Sequence, residues 1–224
     1  MLQVTKLFFI RHGKTKWNLE GRYQGAQGDS PLLQESYQEI QQLCSFLKDY
    51  QFECIYSSPI KRAAITAEKI AEGLRLQQPL EVKSISELRE FNLGKMEGMK
   101  FTDVAQRYPQ ELEAFRHHPD KYDPSEINGE SFPELFARMT PAIKEIAQQH
   151  QAESKNILIV SHGAALCAEI RHLLGYPLAD LRAAGGLANT STTILETGNG
   201  ENYKCLAWNK TDYLERKLSD TDIV

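Results

Sequence analysis

Uninterrupted apolar runs alternate along this chain with segments whose apolar residues are three or four positions apart. The runs at residues 7–10 and 156–160 are typical of strands buried on both faces of a parallel sheet. Between residues 33 and 47, apolar residues recur at alternating steps of four and three, which predicts one face of an amphipathic helix. These residues are Leu33, Tyr37, Ile40, Cys44 and Leu47. Strands are predicted at residues 7–10, 52–56, 80–85, 156–160, 192–197 and 203–208.

Further helices are predicted through residues 63–74, 135–150 and 166–173. Ser58 is expected to cap the first of these, with Pro59 at its first position. Ser131 and Glu134 have the spacing of a capping box before the second. The alternation of strands and helices predicts an α/β fold, a three-layer α/β/α sandwich around a mostly parallel central sheet.

Residues from about 99 to 130 break this alternation. They contain prolines and glycines, and their aromatic residues are interleaved with basic ones. We interpret this segment as a helical lid inserted into a single domain of residues 1–224. The roles of Lys100, Arg116 and His117 in the lid are left open, while Phe101, Tyr108, Phe115 and Tyr122 indicate a partly apolar pocket.

Composition excludes several classes of function. A net charge of -4 disfavours a general nucleic-acid binder, which needs a basic surface. No apolar run approaches the roughly 18 residues that span a bilayer, and the N-terminus lacks the pattern of a signal peptide. Four scattered cysteines fit a reducing compartment better than a disulfide framework. We therefore expect a cytoplasmic protein without a membrane or nucleic-acid partner, while its oligomeric state is left open.

Cationic and imidazole side chains follow three of the predicted strands. Arg11 and His12 come directly after the first strand, Arg62 lies shortly after the second, and His162 follows the fourth. The carboxyl ends of parallel strands meet at one edge of a sheet, where ligands bind. Two arginines and two histidines at one edge predict a cage for a dianionic phosphate. Because the chain has neither a Walker loop nor an aspartate cluster for magnesium, we expect a site without metal or cofactor.

The sequence at residues 11–18, RHGKTKWN, resembles the signature of the histidine phosphatase superfamily, which includes the cofactor-dependent phosphoglycerate mutases. Four further segments, at residues 21–25, 57–63, 88–98 and 161–163, resemble the same family in the same order. The resemblance extends from residue 5 to about residue 197. It is specific because five short motifs occur in order.

The resemblance implies a role for each matching residue. His12 would be the nucleophile that accepts the phosphoryl group on nitrogen. Arg11, Arg62 and His162 would hold the three equatorial oxygens of that group. Glu90 would be the general acid for the leaving oxygen and then the base that activates water.

Other residues have less specific expected roles. Glu87 is the alternative to Glu90 as the acid. Asn18 would donate a hydrogen bond to the phosphate or cap a turn, and Gln24 would line the rim. Gly163, where the last predicted helix begins, would help to direct backbone N–H groups at the phosphate.

The resemblance favours a phosphomonoesterase that acts on small phosphorylated metabolites. The alternative is a 2,3-bisphosphoglycerate-dependent phosphoglycerate mutase, and a catalytically inactive regulatory module is a third reading. Mutase and phosphatase share the phosphohistidine, so the five catalytic residues do not separate them. Phe91 and Leu93 stand where the mutases have an arginine and a tyrosine, and about seventy residues separate Glu90 from His162. Both features favour hydrolysis, and the natural substrate is left open.

Overall fold

The computed structural model describes residues 4–150, 156–183, 185–219 and 222. Its central sheet has six strands: β1 (Thr5–Arg11), β2 (Phe52–Ser57), β3 (Val82–Ser84), β4 (Asn156–Ser161), β5 (Thr192–Thr197) and β6 (Tyr203–Lys210). Their order is β3-β2-β4-β1-β5-β6. The four strands β3, β2, β4 and β1 are parallel to one another, and β5 is antiparallel to both β1 and β6. The predicted mostly parallel sheet is confirmed.

Seven α-helices are found in the described part of the chain: α1 (Lys16–Leu19), α2 (Gln34–Leu47), α3 (Lys61–Leu74), α4 (Phe101–Arg107), α5 (Pro109–His117), α6 (Phe132–Gln149) and α7 (Gly163–Leu173). Side chains of β1 alternate between the two faces of the sheet. Leu7 and Phe9 pack in one core cluster with α6 and α7, and Phe8 and Ile10 pack in another with α2 and α3. Helices therefore cover both faces, and the three-layer α/β/α sandwich is confirmed.

Two predictions of helix starts have different outcomes. The capping box before α6 is confirmed, because the Ser131 and Glu134 side chains bond reciprocally to each other's backbone N–H groups. The N-cap role of Ser58 is wrong, because α3 begins at Lys61. The Ser58 hydroxyl lies instead 2.8 Å from Nε2 of His162. A serine at the end of β2 faces the neighbouring end of β4, and this contact across the sheet edge replaces the local cap.

The segment predicted as a lid contains α4, α5 and two single 3-10 turns, Pro119–Lys121 and Ser125–Ile127. Its anchor is Phe115, whose ring centroid lies 5.1 Å from that of Tyr122, 5.3 Å from that of Phe91 and 5.7 Å from that of Phe132. These rings join the segment to the core beside the predicted acid, Glu90. Within the described ranges, no helix has the length and apolar character needed to cross a membrane.

Candidate active site

A cavity lies at the carboxyl edge of the parallel strands, between the sheet and α4–α5. Its walls contain Arg11, His12, Asn18, Arg22, Tyr23, Gln24, Glu90, Leu93, Phe101, Phe115, Gly163 and Ala164. Six of the eight predicted site residues are in this wall. The remaining two, Arg62 and His162, are buried behind it and contact His12 directly. The structure therefore brings all eight predicted residues to one place.

The imidazole of His12 has a defined proton position. Its Nδ1 lies 2.8 Å from the Gly13 carbonyl, which can only accept, so Nδ1 carries the proton. Nε2 accepts a hydrogen bond from Nε of Arg62 at 3.2 Å, which agrees with a lone pair on that nitrogen. Burial, followed by the charges of Arg62 and Arg11, holds the pKa of His12 well below its ordinary value. Nε2 is therefore a neutral, unprotonated nitrogen directed at the cation-lined site.

His162 lies beside His12, with 5.2 Å between the ring centroids. Ser58 Oγ accepts from the Ile60 N–H and lies 2.8 Å from Nε2 of His162. The other ring nitrogen, Nδ1, is buried with no hydrogen-bond partner among the described residues. Burial and the nearby Arg62 hold the pKa of His162 well below its ordinary value. His162 is thus a neutral imidazole with an unpaired ring nitrogen beside the nucleophile.

Arg62 is held by the loop that follows α1. Its Nη1 donates to the Gly28 carbonyl at 2.7 Å and pairs with the Asp29 carboxylate at 3.2 Å, and its Nη2 donates to the Gly25 carbonyl at 2.9 Å. Only Nε is directed at His12. The loop is itself fixed by the Glu97 carboxylate, which accepts from the backbone N–H groups of residues 27, 28 and 93. The orientation of this arginine is therefore set before any ligand arrives.

Arg11 has one anchored and one unused side of its guanidinium. Nη1 donates to the carbonyls of Leu187 and Asp222, while Nε is buried without a partner among the described residues. Burial lowers the pKa of Arg11 to about 10, so it stays protonated at neutral pH. A methyl group at Gly163 would lie 2.8 Å from that Nε. The absent side chain at position 163 leaves space for the arginine.

Asp222 is a part of this site that sequence reasoning missed. Its carboxylate binds Lys14 at 2.9 Å and both terminal nitrogens of Arg216 at 2.8 Å, while its carbonyl binds Arg11. Burial alone would raise the pKa of Asp222, but the bonds from Arg216, Ser219 and Lys14 hold it well below its usual range. No local pattern could have indicated a contact between residues 211 positions apart.

Glu90 is a buried carboxylate in the cavity wall. It accepts backbone N–H bonds from Phe91 at 2.9 Å, Ala164 at 3.1 Å and Ala165 at 2.7 Å. The N–H groups at the start of α7, expected to face the phosphate, are therefore used by this carboxylate. Glu87 is absent from the described residues that line the cavity and accepts a bond from the Ser86 hydroxyl instead. The geometry favours Glu90 over Glu87 as the acid.

Asn18 and Gln24 have local structural contacts as well as a place in the cavity wall. Asn18 completes a capping box with Thr15 at the start of α1. Gln24 donates to the Thr15 hydroxyl at 3.1 Å and accepts from Ser30 at 2.6 Å. Both readings of Asn18 are thus compatible with its position, because its amide caps the turn and also borders the cavity.

The three lid residues whose roles were left open lie in different places. The guanidinium of Arg116 packs 5.5 Å from the ring of Tyr23 and 5.4 Å from that of Phe101, two cavity-lining rings. Lys100 is exposed at the start of α4, and His117 is exposed at the end of α5. Of the three, Arg116 is the one associated with the cavity.

Comparison with known proteins gives consistent matches over most of the chain. The family model described as Histidine phosphatase superfamily (branch 1) matches residues 7–211. Phosphoglycerate mutase-like protein 4 of Arabidopsis thaliana is 30% identical over 216 residues, which are 96% of this chain and 89% of that protein. Phosphoserine phosphatase 1 of Hydrogenobacter thermophilus is 30% identical over 182 residues, covering 81% and 82% respectively. The structure of YhfR of Bacillus stearothermophilus superposes with a TM-score of 0.85 at 31% identity, over 94% of this chain and 100% of that one.

Proposed function

This chain belongs to the histidine phosphatase superfamily, and we propose that it is a phosphomonoesterase that hydrolyses small phosphorylated metabolites through a phosphohistidine on His12. The observation that carries the proposal is the state of His12. Its Nδ1 proton is fixed by the Gly13 carbonyl, and its Nε2 lone pair faces the cavity edge between Arg62 and Arg11. A neutral imidazole nitrogen held among cations is suited to attack a dianionic phosphate.

In the first step, Nε2 of His12 bonds to phosphorus and the bond to the leaving oxygen breaks. Negative charge on the equatorial oxygens is stabilised by donors that already lie around this nitrogen. Nε of Arg62 is 3.2 Å from Nε2, and the unused Nε of Arg11 and Nδ1 of His162 lie close by. These two buried nitrogens have no partner among the described residues, and in the proposed complex phosphate oxygens accept a hydrogen bond from each.

Glu90 serves both halves of the proposed reaction. Its carboxyl group gives a proton to the leaving oxygen, and as a carboxylate it then takes a proton from the water that attacks phosphohistidine. The carboxyl is held by the first N–H groups of α7, and its backbone carbonyl accepts from Arg138 at 3.1 Å. Arg138 also donates to the carbonyl of Arg89 at 3.0 Å, so it positions this loop from outside the cavity.

Two observations bear on the choice between hydrolysis and phosphoryl return. Phe91 is fully buried among aromatic rings, so the residue after the acid presents no cation to a substrate. This supports hydrolysis. Arg116, beside the cavity, would suit the charged second group that a mutase must hold, and this keeps the mutase as the second candidate. Localisation in the cytoplasm and the lack of nucleic-acid and membrane partners stay predictions.

A paired assay tests the proposal. With 3-phosphoglycerate or p-nitrophenyl phosphate, we expect release of inorganic phosphate to be faster than formation of any isomer, because water enters after the leaving group departs. Rapid conversion of 3- to 2-phosphoglycerate that depends on the bisphosphate would make the protein a mutase. Neither product, from folded protein with several monoesters, would support the inactive module.

A further inference from the structure

The half of the cavity farther from His12, called here the outer half, has aromatic walls. An arginine packs against the aromatic rings on each of two sides. Tyr23, Phe101 and Phe115 line this half. The guanidinium of Arg116 lies on the lid side, over the rings of Tyr23 and Phe101. The guanidinium of Arg182, from the segment that follows α7, lies 5.2 Å from the centroid of Phe115. Two cations thus approach the same aromatic pocket from different parts of the chain.

Neither arginine is neutralised by a described residue. Among the described residues, no carboxylate forms an ion pair with Arg116 or Arg182, and Nη1 of Arg182 is buried with no hydrogen-bond partner. Leaving a buried guanidinium nitrogen without an acceptor costs free energy. Arg62, deeper in the site, has its terminal nitrogens satisfied by carbonyls and a carboxylate. Arg182 therefore has a donor available that no described protein group uses.

The hydroxyl of Tyr23 lies where these charges act. It is buried next to the guanidinium of Arg116. Burial raises the pKa of Tyr23, while the neighbouring Arg116 and then Arg182 act in the opposite direction. The charge of Arg182 also acts on Arg11, in the phosphate end of the cavity. Because Tyr23 and Phe115 share one cavity wall with Arg11, a single small molecule in this cavity lies next to both ends.

We propose that Arg182, together with Arg116 and the Tyr23 hydroxyl, forms an anion subsite for the leaving group. This rests on the proposed phosphatase function and specifies its substrate class. The preferred substrate is a phosphomonoester whose alcohol part carries its own anionic group, a carboxylate or a second phosphate. Such a group would satisfy the unused Nη1 and supply the acid partner that no described residue provides. Arg182 binds substrate in this proposal and takes part in no proton transfer.

Steady-state kinetics with three substrates test the subsite. 3-Phosphoglycerate carries a carboxylate, propane-1,3-diol bisphosphate carries a second phosphate, and glycerol 3-phosphate has an uncharged leaving group. We expect wild type to prefer one of the charged substrates by about 10- to 100-fold in kcat/KM, the size of a charged hydrogen bond. Whether the carboxylate or the second phosphate is preferred identifies the natural group. Arg182→Ala should remove most of this preference through a higher KM, and Arg182→Lys should restore part of it.

Controls separate binding from folding. Arg75→Ala removes an exposed arginine just after α3 and should leave the substrate preference unchanged. Arg182→Gln keeps most of the side-chain volume, so it replaces the alanine variant if that variant unfolds. An equal fall in kcat/KM for all three substrates, or wild-type enzyme without preference, would overturn the subsite. Failure of the phosphatase proposal gives a different result: no substrate releases phosphate, yet calorimetry would still show weaker 3-phosphoglycerate binding in Arg182→Gln.

Discussion

The inner and outer ends of the cavity differ in how their arginines are held. At the inner end, Arg62 donates to three loop carbonyls, to Asp29 and to His12, and Arg11 is anchored by two more carbonyls. At the outer end, Arg116 and Arg182 rest against aromatic rings and form no ion pair with a described residue. The arginines beside the proposed nucleophile are thus held in place by the protein. The arginines of the proposed anion subsite lack a described carboxylate partner and are available to a charged substrate.

This difference has a physical basis. A transition state is stabilised most effectively by donors that need no rearrangement when charge develops, which favours the rigid network at the inner end. Selection of a substrate depends instead on binding free energy. Protein donors without a partner contribute to it only when the leaving group of the substrate carries a matching acceptor. Changes at the inner end should therefore lower the rate for every substrate, whereas changes at the outer end should alter the ranking of substrates.

Among changes that keep the nucleophile His12, the largest effect is expected from Glu90→Gln. With glycerol 3-phosphate, kcat should fall by about 10²- to 10⁴-fold, because the leaving alkoxide then departs without a proton. Formation of phosphohistidine from p-nitrophenyl phosphate, measured as a burst of nitrophenol, should fall much less, since nitrophenolate leaves unprotonated. Glu87→Gln is the matched control and should keep wild-type rates. Loss of activity in Glu87→Gln with retention in Glu90→Gln would assign the acid to Glu87.

A smaller effect is expected from Gly163→Ala, which tests how tightly the inner end is fixed. The added methyl would lie 2.8 Å from Nε and 3.0 Å from Cζ of Arg11, so the guanidinium must move. Since a shift of about 1 Å can cost about 10²-fold, we expect a loss of that order in kcat/KM for all substrates. Affinity for inorganic phosphate, measured by calorimetry, should fall in parallel. Unchanged phosphate affinity would mean that the position of Arg11 is not set by this contact.

The smallest effect concerns stability and pH. The pKa of His12 and that of His162 lie well below 6.5 in the folded state, mainly because of burial. As the pH falls below 6.5, the unfolded chain takes up protons that the folded state does not. The free energy of unfolding should therefore decrease, by up to about 1.4 kcal/mol per pH unit for each imidazole.

Urea unfolding of the ligand-free protein at pH 6.5 and pH 5.5 measures this dependence. His162→Gln should reduce the slope by the share of one imidazole. His117→Gln, which changes an exposed histidine, should leave the slope as in wild type. Identical slopes for wild type and His162→Gln would show that His162 takes up a proton in the folded state as readily as in the unfolded chain.

The inner end could be predicted from the sequence because its residues follow regular elements. Arg11, His12 and His162 come directly after buried apolar strands, and parallel strands end at a common edge. Local patterns also predicted the layers of the fold and the capping box at Ser131. The predicted start of α3 was wrong, because the Ser58 hydroxyl bonds to His162 across the sheet edge. A contact between residues 104 positions apart outweighs a local preference.

The outer end of the cavity and the contacts of Asp222 with the inner end could not be predicted in the same way. Arg182 and Asp222 lie in irregular segments, where no periodicity indicates which way a side chain points. Tyr23 stood within a recognised motif, but nothing in that motif indicated that Arg116 would pack on its ring. These contacts depend on how the lid and the segment after α7 close over the sheet. They follow from tertiary packing and not from local sequence.

The central claim is that Nε2 of His12 takes the phosphoryl group. Rapid acid-free quenching after mixing with ³²P-labelled 3-phosphoglycerate, followed by peptide mapping, tests it directly. We predict an acid-labile, base-stable label on His12 that is absent from His12→Ala. His162 is the informative alternative, because its ring centroid lies 5.2 Å away and its Nδ1 is unpartnered among the described residues. A label on His162, or one that persists in His12→Ala, would contradict the account.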